Sequence, residues 1–240
     1  PDFLRALRHR NFRLFFCGQT LSMIGTWMHQ IAAMWLVYRL SGSAAMLGLA
    51  GFAGQISMLV VAPFAGILCD RMNRHRILLI TQSLALMQSL TLAMLAATGL
   101  VQVWHVIAAM LVASTINAFD MPARQSMFVH LVEDRADLPN AIALNSMLMN
   151  SARLIGPTIA GLVIAAFGET ICFFLNAFSY LAILIALLSM RLTLPARKAV
   201  ATSVWHSLRE GLRYAFNTRA IRWLLAILAT VSFLINAYVP

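Results

Sequence analysis

Long apolar stretches without charged residues constrain this chain more than any other feature. They run through 14–38, 40–69, 77–119, 138–152, 154–168, 170–190 and 223–240. A hydrocarbon core of about 30 Å takes roughly 20 helical residues to cross, so several of these stretches are long enough to span a bilayer. Hydrophobic residues make up 61% of the chain and charged residues 11%, which would cover a soluble domain with apolar patches. The sequence therefore predicts an all-α integral membrane protein.

Turn signals divide these stretches into individual spans. The stretch 77–119 is too long for one crossing and contains TGLVQ at 98–102, which predicts a turn. The residues GET at 168–170 separate two further apolar runs in the same way. The prediction is six complete spans, near 14–38, 44–68, 77–99, 104–120, 139–167 and 171–190, with a seventh beginning at about 221.

The composition changes between 191 and 222, where the chain is polar and basic over a stretch too long for an ordinary turn. Apolar residues recur at helical spacing from Val204 to Phe216, which predicts an amphipathic helix on the membrane surface. We expect a six-helix bundle at 1–190, a cytoplasmic linker at 191–220 and the start of a second bundle at 221–240. The remainder of that second bundle is an expected partner, missing from this sequence.

The basic residues are distributed unequally between the two sides of the predicted bundle. The net charge is +10, and with six spans four basic groups fall on one side, while the other side receives only Arg39. By the positive-inside rule, the N-terminus lies in the cytoplasm. Because the basic residues flank spans and do not alternate with exposed aromatic residues, nucleic acid is not an expected partner. The four groups are the N-terminal arm (5–13), the loop 71–76, Arg124 with Arg135, and the tract 191–222.

No cofactor, metal site or catalytic activity is predicted. The three cysteines are far apart and the six histidines show no ligand spacing on a common helix face. No nucleophile–base pair or phosphate-binding loop is visible either, so we do not expect an enzyme.

Between the second and third predicted spans lies GILCDRMNRHR at 66–76. It resembles the signature loop of the major facilitator superfamily, G-x-L-x-D-R-x-x-R-[RK]. The sequence departs from that pattern at His75, while Arg76 keeps a basic residue one place on.

The residue types in this loop suit a cytoplasmic gate. Gly66 allows two helices to approach closely, and Asp70 can accept charge-assisted hydrogen bonds. Arg71 and Arg74 can form ion pairs across the cytoplasmic mouth. The alternative is that these arginines only set the topology, as in any loop on the positive side.

The fourth predicted span ends near Asp120, Pro122 and Arg124. Pro122 is expected to stop or kink the helix and to place Asp120 and Arg124 at its cytoplasmic end. The resemblance implies that Asp120 pairs with Arg74, the second basic position of the loop, leaving Asp70 free to engage the second bundle. Alternatively, Asp120 only caps a following short helix.

The fifth predicted span contains GPTIAG at 156–161, which resembles the superfamily's antiporter motif G-P-x-x-G-G with Ala160 in place of one glycine. Small residues at 152, 156 and 160 share one helix face and permit tight packing, while Pro157 bends the helix. By resemblance, Gly156, Pro157 and Gly161 indicate an exporter. The alternative is that these residues only allow tight helix packing and do not indicate the direction of transport.

Polar residues inside the spans are candidates for the substrate or proton pathway. A mid-membrane arginine costs about 2.5–3.5 kcal/mol on insertion scales, so Arg153 should face water or a partner. No carboxylate is expected deep in any span, so Arg153 either binds an anionic substrate or is held by asparagine and carbonyl groups. His29 is the candidate for proton coupling, and a buried neutral histidine is the alternative. The remaining candidates are Gln30, Asn117, Asn145 and Asn150.

Three further segments, at 119–125, 138–145 and 208–214, resemble the enterobactin-exporter-like (transmembrane secretion effector) branch of the superfamily. The resemblance covers nearly the whole chain. It implies the N-terminal six-helix bundle of the major facilitator fold, a 3+3 inverted repeat, with the start of a seventh transmembrane helix.

The same resemblance implies a function. Members of this branch are multi-pass transporters of the bacterial inner membrane that export siderophores or other small molecules. The chain would accordingly belong to a secondary active transporter, driven by protons and working by alternating access. A lysophospholipid flippase and a non-transporting membrane scaffold are the alternatives.

Overall fold

The computed structural model describes residues 2–128, 130–132, 134–190, 209, 213–214 and 217–236. The side chain of Asp70 is outside this description, although its backbone is included. The chain divides into two compact units, up to residue 197 and from residue 198, each described by itself.

The first unit is a bundle of α-helices. Short 3-10 helices precede the first of them (Asp2–Arg8) and the fifth (Arg135–Asp137), and no strand occurs among the described residues. The all-α prediction is therefore confirmed. The helices are α1 (Arg10–Ser41), α2 (Ala44–Arg71), α3 (Arg74–Ala97), α4 (Val103–Phe128), α5 (Leu138–Phe167) and α6 (Glu169–Ser189).

The turns between these helices have clear local causes. Gly99 (φ 71°) and Gly168 (φ 83°) adopt the left-handed backbone that glycine tolerates best, which lets the chain reverse at the two predicted breaks. Asn73 caps α3, its side-chain oxygen accepting hydrogen bonds from the backbone N–H groups of His75 and Arg76 at 3.0 and 3.3 Å.

Five helices among the described residues, α2 to α6, are long and apolar enough to cross a membrane by length and composition. The first helix, α1, has 32 residues but is not among these five. Polar residues lower the hydropathy of α1, and three of them, Gln19, Ser22 and His29, are buried inside the bundle. Five of the six predicted spans thus coincide with helices of membrane length and composition, and the first stays a prediction.

The helix contacts show an internal symmetry. α1 packs on α5 and α6, α4 packs on α2 and α3, and α3 packs on α6. Exchanging α1 with α4, α2 with α5 and α3 with α6 converts the first set of contacts into the second. Helices α1–α3 and α4–α6 thus form two groups with matching contacts. With three crossings in each group, the two groups would cross a bilayer in opposite senses, as a 3+3 inverted repeat requires.

Two apolar clusters hold the bundle together, one toward each end. Phe12 and Phe128 meet edge to face, with ring centroids 5.6 Å apart, in the cluster at the start of α1. Leu36 and Phe173 are fully buried in the other cluster. In a lipid environment such packing stabilises the bundle through van der Waals contacts, because the surrounding lipid is as apolar as these side chains.

The predicted end of the fourth span was wrong. α4 continues eight residues past 120 to Phe128 and contains Pro122 in its interior. A proline removes one backbone hydrogen bond, but helices packed against neighbours inside a membrane tolerate this loss. Arg124 is consequently a helix residue and not a loop residue.

The second unit contains α7 (Arg219–Asn236), which begins near the predicted start of the seventh span. It is not among the five helices that meet the length and composition criteria for a membrane span. The predicted linker helix from Val204 to Phe216 lies largely outside the described residues.

Candidate functional site

Asp120 is the centre of a buried polar cluster between α3 and α4. It is only 1% exposed, and its Oδ1 accepts hydrogen bonds from Thr81 Oγ1 at 2.9 Å and Gln82 Nε2 at 2.7 Å. The other oxygen, Oδ2, forms an ion pair with Arg124 one turn further along α4. Two donors and a cation together allow the charged carboxylate to remain inside an apolar bundle. Asp120 lies in the last third of α4, buried between helices toward the end of the bundle that carries segment 66–76.

The predicted ion pair between Asp120 and Arg74 was also wrong. Arg74 is the first residue of α3, whereas Thr81 and Gln82, which bond Asp120, lie about 10 Å further along the helix axis. This difference in depth separates the two charges. The alternative role as a helix cap fails too, because the residue capping the next short helix is Asp134.

Segment 66–76 connects four helix ends. Arg74 Nη1 donates to the carbonyl oxygen of Ser126 in α4 at 2.9 Å. His75, the departure from the superfamily pattern, has its Nε2 2.9 Å from the carbonyl oxygen of Leu187 in α6. Since a carbonyl only accepts, His75 donates from Nε2. These bonds tie α3 to α4 and α6 and form a closed layer at the end of the bundle where α2 joins α3 through the signature loop.

His130, which sequence reasoning did not identify, extends this layer. Its Nε2 lies 2.8 Å from Arg74 Nη1. A guanidinium can only donate, so the His130 ring accepts and is neutral. Burial and the positive charge of Arg74 lower the pKa of His130 from its ordinary value of 6.5. The sequence offers no signal for this contact, because it joins two residues far apart in the chain.

The other predicted gate residues are placed as follows. A Cβ added at Gly66 would meet no atom within 4 Å, so the expected close approach of helices at Gly66 does not occur among the described residues. Asp70 lies in the last turn of α2, and its side chain is outside the description. Arg71, the final residue of α2, is half-buried.

The N-terminal arm is bound to the same end of the bundle by residues that sequence reasoning missed. The carboxylate of Asp137 lies 3.1 Å from both Arg5 Nε and His9 Nε2. The backbone N–H of Ala6 donates to Asn140 Oδ1 at 3.0 Å. These contacts fix the arm against the start of α5.

Arg153 and Trp27 meet halfway along their helices. Arg153 is at the middle of α5 and Trp27 is at the middle of α1, and the guanidinium carbon lies 5.7 Å from the centroid of the Trp27 ring. This distance is within the range of cation–π attraction. The Arg153 side chain is exposed, and none of the described acidic side chains forms an ion pair with it.

The surroundings of this pair form an open groove. Met23 and Gln30 share the Trp27 face of α1, four residues before and three residues after it. Arg124 of α4 reaches this face, its Nη1 lying 3.3 Å from Met23 Sδ. α1 packs against both α4 and α5, which make almost no contact with each other. We call the surface of Met23, Trp27, Gln30, Arg124 and Arg153 the Trp27 groove.

Two other predicted pathway residues lie beside the groove by register. Asn150 precedes Arg153 by three residues and Asn117 precedes Arg124 by seven, so each shares a helix face with a groove residue. Both are exposed. The half-buried Asn145 instead has its amide nitrogen 3.7 Å from Met149 Sδ on its own helix.

His29 lies away from the groove, in the packed contact of α1 with α3 and α6. Its Nδ1 is 3.3 Å from Ser89 Oγ, and its ring meets Phe173 at a centroid distance of 5.0 Å. Ser89 donates its one hydroxyl proton to the Phe173 carbonyl oxygen at 3.0 Å. His29 Nδ1 must therefore carry a proton and donate to Ser89.

Gly156 permits a close contact between α1 and α5. A Cβ at Gly156 would overlap Trp27 Cβ and would lie 3.1 Å from the carbonyl oxygen of Ile24. Ala152 and Ala160, one turn away on either side, are buried. This face of α5 packs closely on α1, whereas Gly161 is exposed and would accept a Cβ without contact.

Comparison with known proteins agrees with this architecture. The family model described as transmembrane secretion effector matches residues 3–239. An uncharacterized MFS-type transporter of Bacillus subtilis is 24% identical over 82% of this chain and 47% of its own length. The staphyloferrin A transporter of Staphylococcus aureus is 27% identical over 73% of this chain and 44% of its own. The multidrug efflux pump Tap of Mycolicibacterium fortuitum is 27% identical over 81% of this chain and 49% of its own length.

The chain spans about half the length of these curated relatives. Its family consists of transporters, in agreement with the prediction that it is not an enzyme. Its apolar helices make it a multi-pass membrane protein. The chain thus belongs to the transmembrane secretion effector family of the major facilitator superfamily.

Proposed function

We propose that this chain forms the N-terminal half of a proton-driven secondary transporter that exports a small molecule by alternating access. The observation that carries the proposal is the contrast between the two regions of the bundle. At the end with segment 66–76, bonds tie α3 to α4 and α6, whereas the Trp27 groove carries the exposed polar side chains of Arg153 and Gln30. A rigid bundle with an open polar face is what a rocking transporter needs in each half.

The gate is proposed to act between this bundle and a second one. Gly66 has free space around it within the described residues, so a helix from outside this bundle can approach there. Asp70 and Arg71 lie at the same end of α2 and would supply the charges of the contact, with Arg74 and the Asp120–Arg124 pair supporting the loop from α3 and α4. In this arrangement the N-terminus and the basic loops face the cytoplasm of a bacterial inner membrane.

Export is favoured by the relative named as a multidrug efflux pump, and the staphyloferrin A transporter is a second relative whose name describes transport. Proton coupling requires a titratable group within the membrane, and His29 and Asp120 are such groups among the described helix residues. Of the two, Asp120 is bonded to Arg124, a residue of the Trp27 groove. Asp120 is thus better placed than His29 to couple a proton to substrate.

Flux into inside-out membrane vesicles tests this function. An imposed proton gradient should drive uptake of at least one member of a panel of siderophores, drugs and lysolipids, and collapse of the gradient should stop it. Asp70→Asn should abolish uptake while leaving membrane insertion intact. Equal flux by Asp70→Asn and the unchanged protein would contradict the gate, and no proton-dependent flux of any panel member would contradict the function.

A further inference from the structure

We propose that the Trp27 groove binds an organic oxyanion, a carboxylate or phosphate group held by Arg153 against the Trp27 ring. This inference rests on the proposed transport function, because it assigns the chemical class of the transported substrate. It follows from the charges in the groove, the geometry of the Arg153–Trp27 pair and the depth of that pair in the bundle.

The groove has one positive charge without a described counter-ion. Of its two arginines, Arg124 is neutralised by Asp120, whereas Arg153 has no acidic partner among the described residues. Apart from Asp120, no described aspartate or glutamate lies in α1, α4 or α5, the helices that form the groove. A cationic substrate would meet net repulsion there, while an oxyanion would supply the missing charge.

The Trp27 ring positions the Arg153 guanidinium for such a ligand. The guanidinium carbon lies 5.7 Å from the centroid of the indole, within reach of cation–π attraction, and the exposed side chain keeps an N–H edge available. That edge matches the two oxygens of a carboxylate or phosphate group. Gln30 and Asn150, both exposed on the adjoining faces, offer amide groups for the neutral part of the ligand.

The position of the pair supports the same conclusion. Both residues are midway along helices that are each long enough to cross the hydrocarbon core, where transporters bind their substrates. A charged side chain at this depth is stable only beside water or a partner. Gly156 keeps α5 pressed against α1 at Trp27, so the geometry is fixed by the packing and not by the ligand.

Binding measurements on the full chain in phosphatidylcholine nanodiscs test the proposal. The probes are citrate, lysophosphatidylglycerol and tetraphenylphosphonium, followed by quenching of tryptophan fluorescence, with Trp27→Phe identifying the responding residue. At least one of the two oxyanions should bind, and Arg153→Gln should weaken that binding at least tenfold. The affinity of Arg153→Lys should lie between those of Arg153→Gln and the unchanged protein, because lysine keeps the charge but lacks the planar donor edge.

The outcomes separate the sources of the oxyanion. Binding of citrate alone indicates a soluble substrate, and binding of the lysolipid alone indicates a lipid substrate; both support the inference. Equal affinity of Arg153→Gln and the unchanged protein, or binding of tetraphenylphosphonium in preference to both oxyanions, would overturn it. The thermal transition of each variant in the same nanodiscs checks folding, and Arg153→Lys carries the test if the glutamine variant unfolds.

Flux separates this inference from the proposed function. If vesicles accumulate tetraphenylphosphonium in a proton gradient and citrate and lysolipid do not bind, transport stands and the oxyanion site is wrong. If an oxyanion binds through Arg153 but no cargo moves, the site stands and the transport function is wrong.

Discussion

Asp120 and Arg124 are ionisable residues inside a helix that is long and apolar enough to cross lipid. Each is stable there because the other is present, and Thr81 and Gln82 occupy one carboxylate oxygen of Asp120. Such pairs contribute little net stability, but breaking one leaves a buried charge without a partner. The contribution of this interaction to the free energy of unfolding is therefore measured by changing the two residues separately and together.

We predict that Arg124→Gln or Asp120→Asn alone lowers the free energy of unfolding by about 3 kcal/mol. The double variant should be less destabilised than the sum of the two, because neither charge remains unpaired. Thermal unfolding in detergent measures all three. Strict additivity would show that the pair does not interact in the folded protein.

A second prediction concerns pH at the closed end of the bundle. Because the pKa of His130 is lowered in the folded protein, the fold favours the neutral ring. The stability that this contact contributes is present above the ordinary value of 6.5 and falls as the pH drops below it. His130→Gln, which does not titrate, should remove this part of the pH dependence between about pH 7.5 and 5.

Hydrogen exchange of the amides around Ser126 measures this effect, with Arg74→Gln as the matched variant lacking the repelling charge. Acidification should increase exchange in the unchanged protein and less so in either variant. A response that is identical in all three proteins would show that His130 and Arg74 do not interact in this way.

The sequence identified Asp120, Arg74 and Arg153 as important but not all of their contacts. Partners depend on depth along each helix, and depth depends on where helices end. Pro122 suggested an end that neighbouring helices override, which moved Asp120 and Arg124 inside α4. Contacts such as those of His130 and Asp137 join distant parts of the chain and carry no local pattern.

At the scale of helices, the contact of α1 with α5 depends on the absence of a side chain at Gly156. Gly161, five residues later in the same helix, makes no such contact. The two glycines look equivalent in the motif GPTIAG, but they face different surroundings. They provide a matched pair for testing how close the two helices must be.

We predict that Gly156→Ala lowers the free energy of unfolding by about 1–3 kcal/mol, since its Cβ would overlap Trp27 Cβ and force the helices apart. Gly161→Ala should be neutral or stabilising by up to about 1 kcal/mol, because alanine favours a helix and has room there. Thermal unfolding in detergent compares the two. A Gly156→Ala variant as stable as Gly161→Ala would contradict the tight α1–α5 contact.

Helix positions were largely predictable, because apolar length and the turn signals at 98–102 and 168–170 determine them. The first helix was the exception in character. The charge-free apolar stretch 14–38 predicted its span, but the helix also contains polar residues such as Gln19, Ser22 and His29, which are buried against other helices, and it is not among the five helices that meet the membrane-span criteria. Hydropathy reports the average composition of a helix, whereas burial depends on which faces its neighbours cover.

At the scale of the whole molecule, helices α1–α3 and α4–α6 form one bundle with matching contacts. This bundle has a closed end and an exposed polar face. One end is closed by Arg74, His75 and His130, and one face carries the Trp27 groove. If such a bundle rocks against a partner bundle, the groove must open to opposite sides of the membrane in turn. Its middle should then be reachable from both sides, although never from both at once in one molecule.

Labelling of a cysteine at Asn150 tests this most directly, in a Cys17→Ser background because Cys17 is exposed whereas Cys69 and Cys172 are buried. Two control cysteines report the orientation, one replacing Asn73 between α2 and α3 and one replacing Gln102 between α3 and α4. An impermeant maleimide should label the first only from the cytoplasm and the second only from outside. We predict that the Asn150 position is labelled from either side, with the ratio shifted by an imposed proton gradient. Labelling from a single side under every gradient, or none at all, would contradict alternating access.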